Sequence, residues 1–426
     1  MKALRIGLCL IIAFTVLAHG AVEVWSESLL EMGAAVLFVI WAFAVFTEED
    51  RKIHWSALNW PLLGLLGIGL AQVVFRMTAY PFLTRTELLR VAAYFILFFL
   101  AAQAFRERRD LEKLAWFLLL LCFAVSLFGI IQHFTSEGKI YWFREQTAGN
   151  PFGPYVNRNH FAGFVELTLP VGLALLVFRG LRRDVFPMAG LLTIVPLGAL
   201  ILSASRGGIV SMAFEIGVLT LLARSRKGAG GPRIAAIGIV ALAAVALIVW
   251  IGAGGAIERF STAPSRDVTL LRRASMFRGT AHIFLDHPIR GSGLGTLVAV
   301  YPRYETGYDG KVVDHAHNDY IEVLAETGLL GGVCCLAFLL ILFREARNAF
   351  EAEQGHFSRA LHAGAITAVS GVLLHSFVDF NLHIPSNALL FLLQAYLATS
   401  PPLPSGTPVR RRRERVDAQA ESEVVG

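Results

Sequence analysis

Three short stretches combine side chains that grip phosphate oxygens with side chains that carry protons. The first, Gly149-Asn150-Pro151-Phe152-Gly153-Pro154-Tyr155-Val156-Asn157-Arg158-Asn159-His160, leads straight into an apolar run. The second, Ser203-Ala204-Ser205-Arg206-Gly207-Gly208, breaks one long apolar stretch into two. The third, Asp314-His315-Ala316-His317-Asn318-Asp319-Tyr320-Ile321-Glu322, is followed by Glu326 and by Gly328-Leu329-Leu330-Gly331. Arginine presents a rigid fork of donors that holds phosphate oxygens in pairs and keeps its charge. Histidine titrates near neutrality and accepts a proton from an incoming hydroxyl. The glycines beside Arg206 permit close backbone approach or a helix break, and a charge beside a broken helix at membrane depth usually lines a cavity. Glu322 and Glu326, four residues apart, share one helical face and must look into protein or water. The His315-x-His317 pair also fits a metal site, but the sequence offers no convincing further set of ligands, so no metal is expected.

The chain that must position these groups is that of a polytopic membrane protein. Its 426 residues are 55% hydrophobic and 16% charged, against about 45–50% and about 25% in soluble proteins. This excludes a secreted disulfide scaffold, a cytosolic Rossmann-type enzyme and a disordered chain. The apolar residues fall in blocks long enough to cross about 30 Å of hydrocarbon. About twelve spans are expected, near 4–20, 29–46, 57–75, 88–105, 114–133, 160–178, 185–203, 207–223, 234–252, 319–343, 360–378 and 385–399. The first has the look of a signal peptide, with Lys2, Arg5 and Ala18-His19-Gly20, and is expected to be retained. All four cysteines, Cys9, Cys122, Cys334 and Cys335, lie inside apolar blocks and pack as small hydrophobes.

Lysine and arginine set the orientation. With both termini inside, every short cytoplasmic loop is basic, from Arg51-Lys52 and Arg106 to Lys113 through to the arginines between Arg410 and Arg415. The net charge of +6 is therefore a topogenic signal, and no nucleic-acid partner is implied. On this reading residues 1–399 form one transmembrane domain, and residues 400–426 a disordered cytoplasmic tail. A long outer loop, about 253–318, holds Arg259, Arg266, Arg272, Arg273, Arg278, Arg290, Arg303 and Lys311. Within it, Leu270 to Leu285 reads as a helix with apolar and basic faces, suited to lying at the membrane interface. Positive charge on the outer side implies an anionic substrate.

All three polar clusters fall on that same outer face. His375, Asp379, Asn381 and His383 bracket the outer end of the eleventh span and can supply a second layer of contacts, or caps and packing. Glu166 and Glu215 lie at membrane depth, where either could pair with an arginine. No Asp-x-Asp pair faces outward, so guanidinium groups would neutralise a diphosphate leaving group. The parts suit attack of a hydroxyl on the anomeric carbon of a sugar carried on a lipid diphosphate, with histidine taking the proton.

At these residues the sequence resembles the O-antigen ligase / O-antigen polymerase family of bacterial inner-membrane glycosyltransferases, from about Gly149 to Pro385. The carriers are Asn157-Arg158-Asn159-His160-Phe161-Ala162-Gly163, Ser205-Arg206-Gly207-Gly208, Asp286-His287-Pro288-Ile289-Arg290-Gly291-Ser292-Gly293-Leu294-Gly295, and His315-Ala316-His317-Asn318-Asp319-Tyr320 with Gly328 and Gly331. The resemblance implies an all-α membrane fold and inverting, metal-free transfer of a glycan from undecaprenyl diphosphate on the periplasmic face, with no cofactor. It implies that Arg206 holds the diphosphate and that Arg273 is the arginine four positions before an aromatic, here Phe277, with Arg272 the alternative. His317 resembles the histidine that activates or positions the acceptor, with His315 two residues away as its rival. Arg158, His160, Asn157 and Asn318 are further expected substrate contacts. A ligase uses lipid A–core oligosaccharide as acceptor and a polymerase another lipid-linked glycan; the long basic loop favours the ligase. A secondary transporter is the reading from another class, but two matching halves with paired broken helices are not seen.

Overall fold

The computed structural model describes residues 1–47, 52–145, 150–224, 268–306 and 310–401. Among them are thirteen α-helices and no strand. They are α1 (Lys2–Leu17), α2 (Val24–Thr47), α3 (Asn59–Val74), α4 (Pro81–Ala104), α5 (Arg108–Thr135), α6 (Arg158–Val177), α7 (Phe186–Leu202), α8 (Arg206–Arg224), α9 (Val268–Asp286), α10 (Leu297–Val300), α11 (Asp319–Ala352), α12 (His356–His375) and α13 (Pro385–Thr399). The all-α membrane fold expected from the apolar blocks is the fold observed.

Eight helices are long and apolar enough to cross a membrane by length and composition. Of the others expected as spans, α1, α3 and α13 have 16, 16 and 15 residues, which at 1.5 Å per residue reach at most about 24 Å. Twelve full crossings are therefore not established. The expected span 234–252, the loop arginines Arg259 and Arg266, and the tail 402–426 lie outside the described residues. The expected spans 185–203 and 207–223 are two helices, α7 and α8, separated at Ser203 to Ser205.

Helix α6 is the axis of the bundle, with its window of span residues wholly enclosed. It packs on α12 so closely that a Cβ at Gly364 would sit 2.6 Å from the Val171 Cα. Glycine at that position is what lets the two backbones meet. Helices α7, α8, α5 and α13 complete the wall around α6.

The expected tenth span is not one helix. Gly328 has φ 65° and ψ −164°, which divides α11 into a short N-terminal part and a long C-terminal part. The segment Asp286 to Gly295 wraps this break. Leu329 and Leu330 N–H donate to Pro288 and Ile289 O at 2.8 and 3.2 Å, while Ser292 and Gly293 N–H donate to Ala325 and Glu326 O at 2.9 and 3.0 Å. The Gln72 amide joins in, donating to Arg290 O at 2.7 Å and Glu326 O at 2.9 Å and accepting from Leu294 N. Backbone groups freed by a broken helix must find partners in a membrane protein, and here the glycine-rich loop supplies them.

Helix α9 falls where the outer-loop helix was expected. Its apolar residues Met276 and Ile283 join Leu297, Val300, Tyr301, Val313, Ala316 and Ala325 in a small core of their own. That stripe is therefore used inside the protein, with Phe277 and Leu285 left exposed.

Candidate functional site

The polar cluster is built from six helix ends. The N-termini of α6, α8, α11 and α13 and the C-termini of α7 and α12 meet there. Asparagines start two of these helices: Asn157 accepts from Asn159 N–H at 2.9 Å, and Asn318 accepts from Tyr320 and Ile321 N–H. Ser205 does the same for α8, accepting from Gly208 N–H at 3.2 Å. Such caps satisfy the orphan donors of a first turn. They fix where the next residues point.

What those residues point at is Asp379, fully buried in the turn after α12. Its carboxylate accepts from Asn159 Nδ2 at 2.5 Å, from His317 Nδ1 at 3.2 Å and from Phe380 N–H at 2.9 Å. An Arg273 guanidinium nitrogen lies 3.5 Å away. Asn159 Oδ1 in turn accepts from Ser205 Oγ at 2.9 Å, so α6, α8, α9, α11 and the α12–α13 turn are tied through one carboxylate. Burial by itself would raise the Asp379 carboxyl, but the His317 hydrogen bond and the surrounding histidines hold it well below the ordinary carboxylate range. A carboxylate is acceptor-only, so a hydrogen sits on His317 Nδ1, and in the neutral ring Nε2 is the nitrogen with the lone pair. The His317 side chain is 22% exposed, and the ring also rests edge-on against Phe380.

The two candidate histidines are separated by function of position. His315 turns away from Asp379: its Nδ1 lies 2.7 Å from Glu322 Oε1, and its ring stacks on Phe380. His383 reaches the same carboxylate, with Nε2 3.4 Å from Glu322 Oε1 and Nδ1 2.7 Å from Asp319 Oδ1. Burial opposes protonation of both rings, but Glu322 raises His315, and Glu322 with Asp319 pushes His383 up to about 10. The arginine pair is separated likewise. Arg273 faces Asp379, and Arg272, also half-buried, is the other member. Arg278, Arg290 and Arg303 are exposed.

Arg206 is the first residue of α8, flanked by the Ser205 that bonds Asn159 and by Gly207. A Cβ at Gly207 would overlap the His375 ring, so glycine here is what brings the α8 start onto α12. Ala204 and His317 both hold left-handed backbone, with φ of 53° and 51°. For residues other than glycine this costs about 1–2 kcal/mol each, and the caps and hydrogen bonds around them sustain it. Arg158 opens α6 one residue before Asn159, half-buried, its N–H donating to Asn150 O at 2.7 Å. His160 is enclosed against Phe380. The membrane-depth carboxylate Glu166 does not pair with an arginine as was open from sequence; its partner is His375, at 2.8 Å.

The structure thus gathers His317, Arg273, Arg206, Arg158, His160, His315, Asn157 and Asn318 at one end of the bundle. It gives the two asparagines capping duties. Asp379 and His383, expected only as a second layer of contacts or as caps, and Asn159, Ser205 and Glu322, given no role of their own, turn out to hold the cluster together. Asn157 before an apolar run is a recognisable cap, which leaves Asn159 as the asparagine that reaches Asp379.

Eight described helices long and apolar enough to cross a membrane make this a multi-pass membrane protein, with a buried, charged cluster where six helix ends meet. Residues 191–336 match the family model described as O-Antigen ligase, and the motifs read from the sequence and this match agree on that family. The match covers α7 to the first half of α11, and so contains Arg206, Arg273, His315 and His317 but neither Asn159 nor Asp379. No curated protein shows significant similarity to the chain. The family is one of glycosyl-transferring membrane enzymes of polysaccharide assembly.

Proposed function

We propose that this protein transfers a glycan from undecaprenyl diphosphate to a hydroxyl of lipid A–core oligosaccharide at the periplasmic face of the inner membrane. The observation that carries the reading is the His317–Asp379–Arg273 constellation, in which a base and a phosphate-gripping cation share one buried carboxylate. The acceptor O–H gives its proton to His317 Nε2 as its oxygen attacks the anomeric carbon. The bond from that carbon to the diphosphate oxygen breaks, and the electron pair leaves with the diphosphate. Arg206 and Arg273, with Arg158 nearby, neutralise the departing charge. Stabilisation of charge that develops in the transition state is commonly the largest catalytic contribution. A single displacement inverts the anomeric centre.

Asp379 holds His317 in the tautomer that leaves Nε2 able to accept. Its own charge also fixes Arg273 without consuming it, since a guanidinium has five donors. His160 and Arg272 line the same end and serve substrate placement.

The test is transfer by purified protein in liposomes with undecaprenyl diphosphate-linked glycan, with and without lipid A–core. One size shift that requires lipid A–core supports the ligase reading. A ladder formed without it makes the protein a polymerase using the same site. Absence of transfer in both, with folded protein and native donor, removes the reading and restores the transporter.

A further inference from the structure

His315, Glu322 and His383 bring ligand atoms within 4.8 Å of one another. The sequence shows His315-x-His317 and no further ligands, because the completing groups come from a helix turn and from a loop 68 residues beyond His315. The pair itself is not the site. His317 points to Asp379, and His315 points to Glu322.

The geometry points to a divalent-cation site of the zinc type, bound by His315, Glu322 and His383, with a fourth position for water. Four-coordinate zinc with ligands at about 2.0–2.2 Å keeps those atoms roughly 3.4 Å apart. His383 Nε2 and Glu322 Oε1 already stand at 3.4 Å. The 2.7 Å between His315 Nδ1 and Glu322 Oε1 has to open by roughly 0.7 Å on the same reckoning. Two imidazoles and one carboxylate suit zinc better than calcium or magnesium, which take oxygen ligands.

The groups behind the ligands strengthen the assignment. Asp319 Oδ1 accepts from His383 Nδ1 at 2.7 Å, which leaves Nε2 facing Glu322 as the atom that would give up its proton to an arriving ion. Ala316 N–H donates to Glu322 Oε2 at 2.8 Å, which leaves Oε1 to face the two rings. Ligating histidines commonly carry such a carboxylate on the far nitrogen. Glu322 and Asp319 together balance the charge of a divalent ion with neutral rings, as a buried ion requires.

The ion would be structural for the neighbouring site and would take no part in bond breaking. It would join the segment before α11, the first turns of α11 and the turn before α13. His317 and Asp379 lie on two of those three segments, so the site would fix their separation. This inference does not depend on the transfer reading.

Full-length protein, stripped with chelator and dialysed, would be titrated with Zn²⁺ alone and its bound metal counted. One equivalent is expected, lost in Glu322→Gln and His383→Ala, weakened about 10–100-fold in Asp319→Asn, and kept in His317→Ala. X-ray absorption of zinc-loaded wild type guards against misfolded variants and should show two imidazoles with a carboxylate. Absence of stoichiometric binding in wild type would leave these groups as an ion-pair cluster and overturn the proposal. So would zinc retained in both ligand variants, or a sulfur shell pointing to Cys334 or Cys335.

Discussion

His317 and Asp379, 62 residues apart in the chain, meet through a 3.2 Å hydrogen bond from Nδ1 to Oδ1. The bond orients the ring, because the carboxylate can only accept and so holds the hydrogen on the near nitrogen. Asn159 and Arg273 fill the other oxygen, which leaves Asp379 saturated and its position over-determined.

The depressed Asp379 carboxyl makes a prediction about acid stability. An unfolded aspartate titrates at about 3.9, and the folded group lies well below. The unfolded chain then binds the extra proton first as pH falls, so this contribution is complete above about pH 5 and declines below about pH 4. Thermal midpoints in detergent should fall more steeply below about pH 4 for wild type than for Asp379→Asn. Parallel curves would mean that the carboxyl is not held low.

Arg273 and Arg272 should behave differently despite adjacency. Replacing Arg273 by Gln removes a cation that faces Asp379 and is expected to slow transfer by about 10²-fold, the usual cost of losing one charge-stabilising donor. Lysine there should rescue poorly, since it lacks the planar fork. Arg272→Gln should cost less. Initial rates at saturating donor would decide, and equal losses would remove the distinction.

Gly207→Ala tests the seat of Arg206 without touching its charge. The added methyl overlaps His375, so the start of α8 must move, and displacement of about 1 Å can cost about 10²-fold in rate. The variant should still insert in the membrane. Wild-type rates from this variant would show that the α8 start has room to spare.

Glu326 has a structural duty. Its carboxylate accepts from Gly295 N–H at 2.8 Å and Leu297 N–H at 2.9 Å, holding the glycine loop over the break in α11. Glu326→Gln should lower stability by about 1.5–3 kcal/mol, the range for a hydrogen bond to a charged group. Most transfer per folded molecule should remain. A thermal midpoint equal to wild type would contradict this.

Much of the scaffold was legible because its signals are local. Apolar blocks located the helices, Lys and Arg asymmetry put three clusters on one face, and the stripe from Leu270 to Leu285 gave α9. The break at Gly328 was hidden inside an apolar run that reads as continuous. What closes it is the loop from Asp286 to Gly295 and Gln72 on α3, and such long-range pairing leaves no periodic trace. The same reason hid the partners of Asp379. Nothing near it in sequence shows that Asn159, 220 residues earlier, donates to it, whereas Arg206 and His317 stood out as charges beside glycine and asparagine. The choice between His315 and His317 needed side-chain direction, which a left-handed residue at His317 reverses relative to an extended chain.

The most direct test of the central claim is single-turnover transfer by wild type, His317→Ala, Asp379→Asn and the double variant, in liposomes with lipid-linked donor and lipid A–core. If the two residues act as one unit, each single change should slow transfer by about 10²–10⁴-fold, and the double variant should be little slower than the worse single one. Near-wild-type transfer by His317→Ala with correctly folded protein would contradict the account and move the chemistry away from this hydrogen-bonded pair.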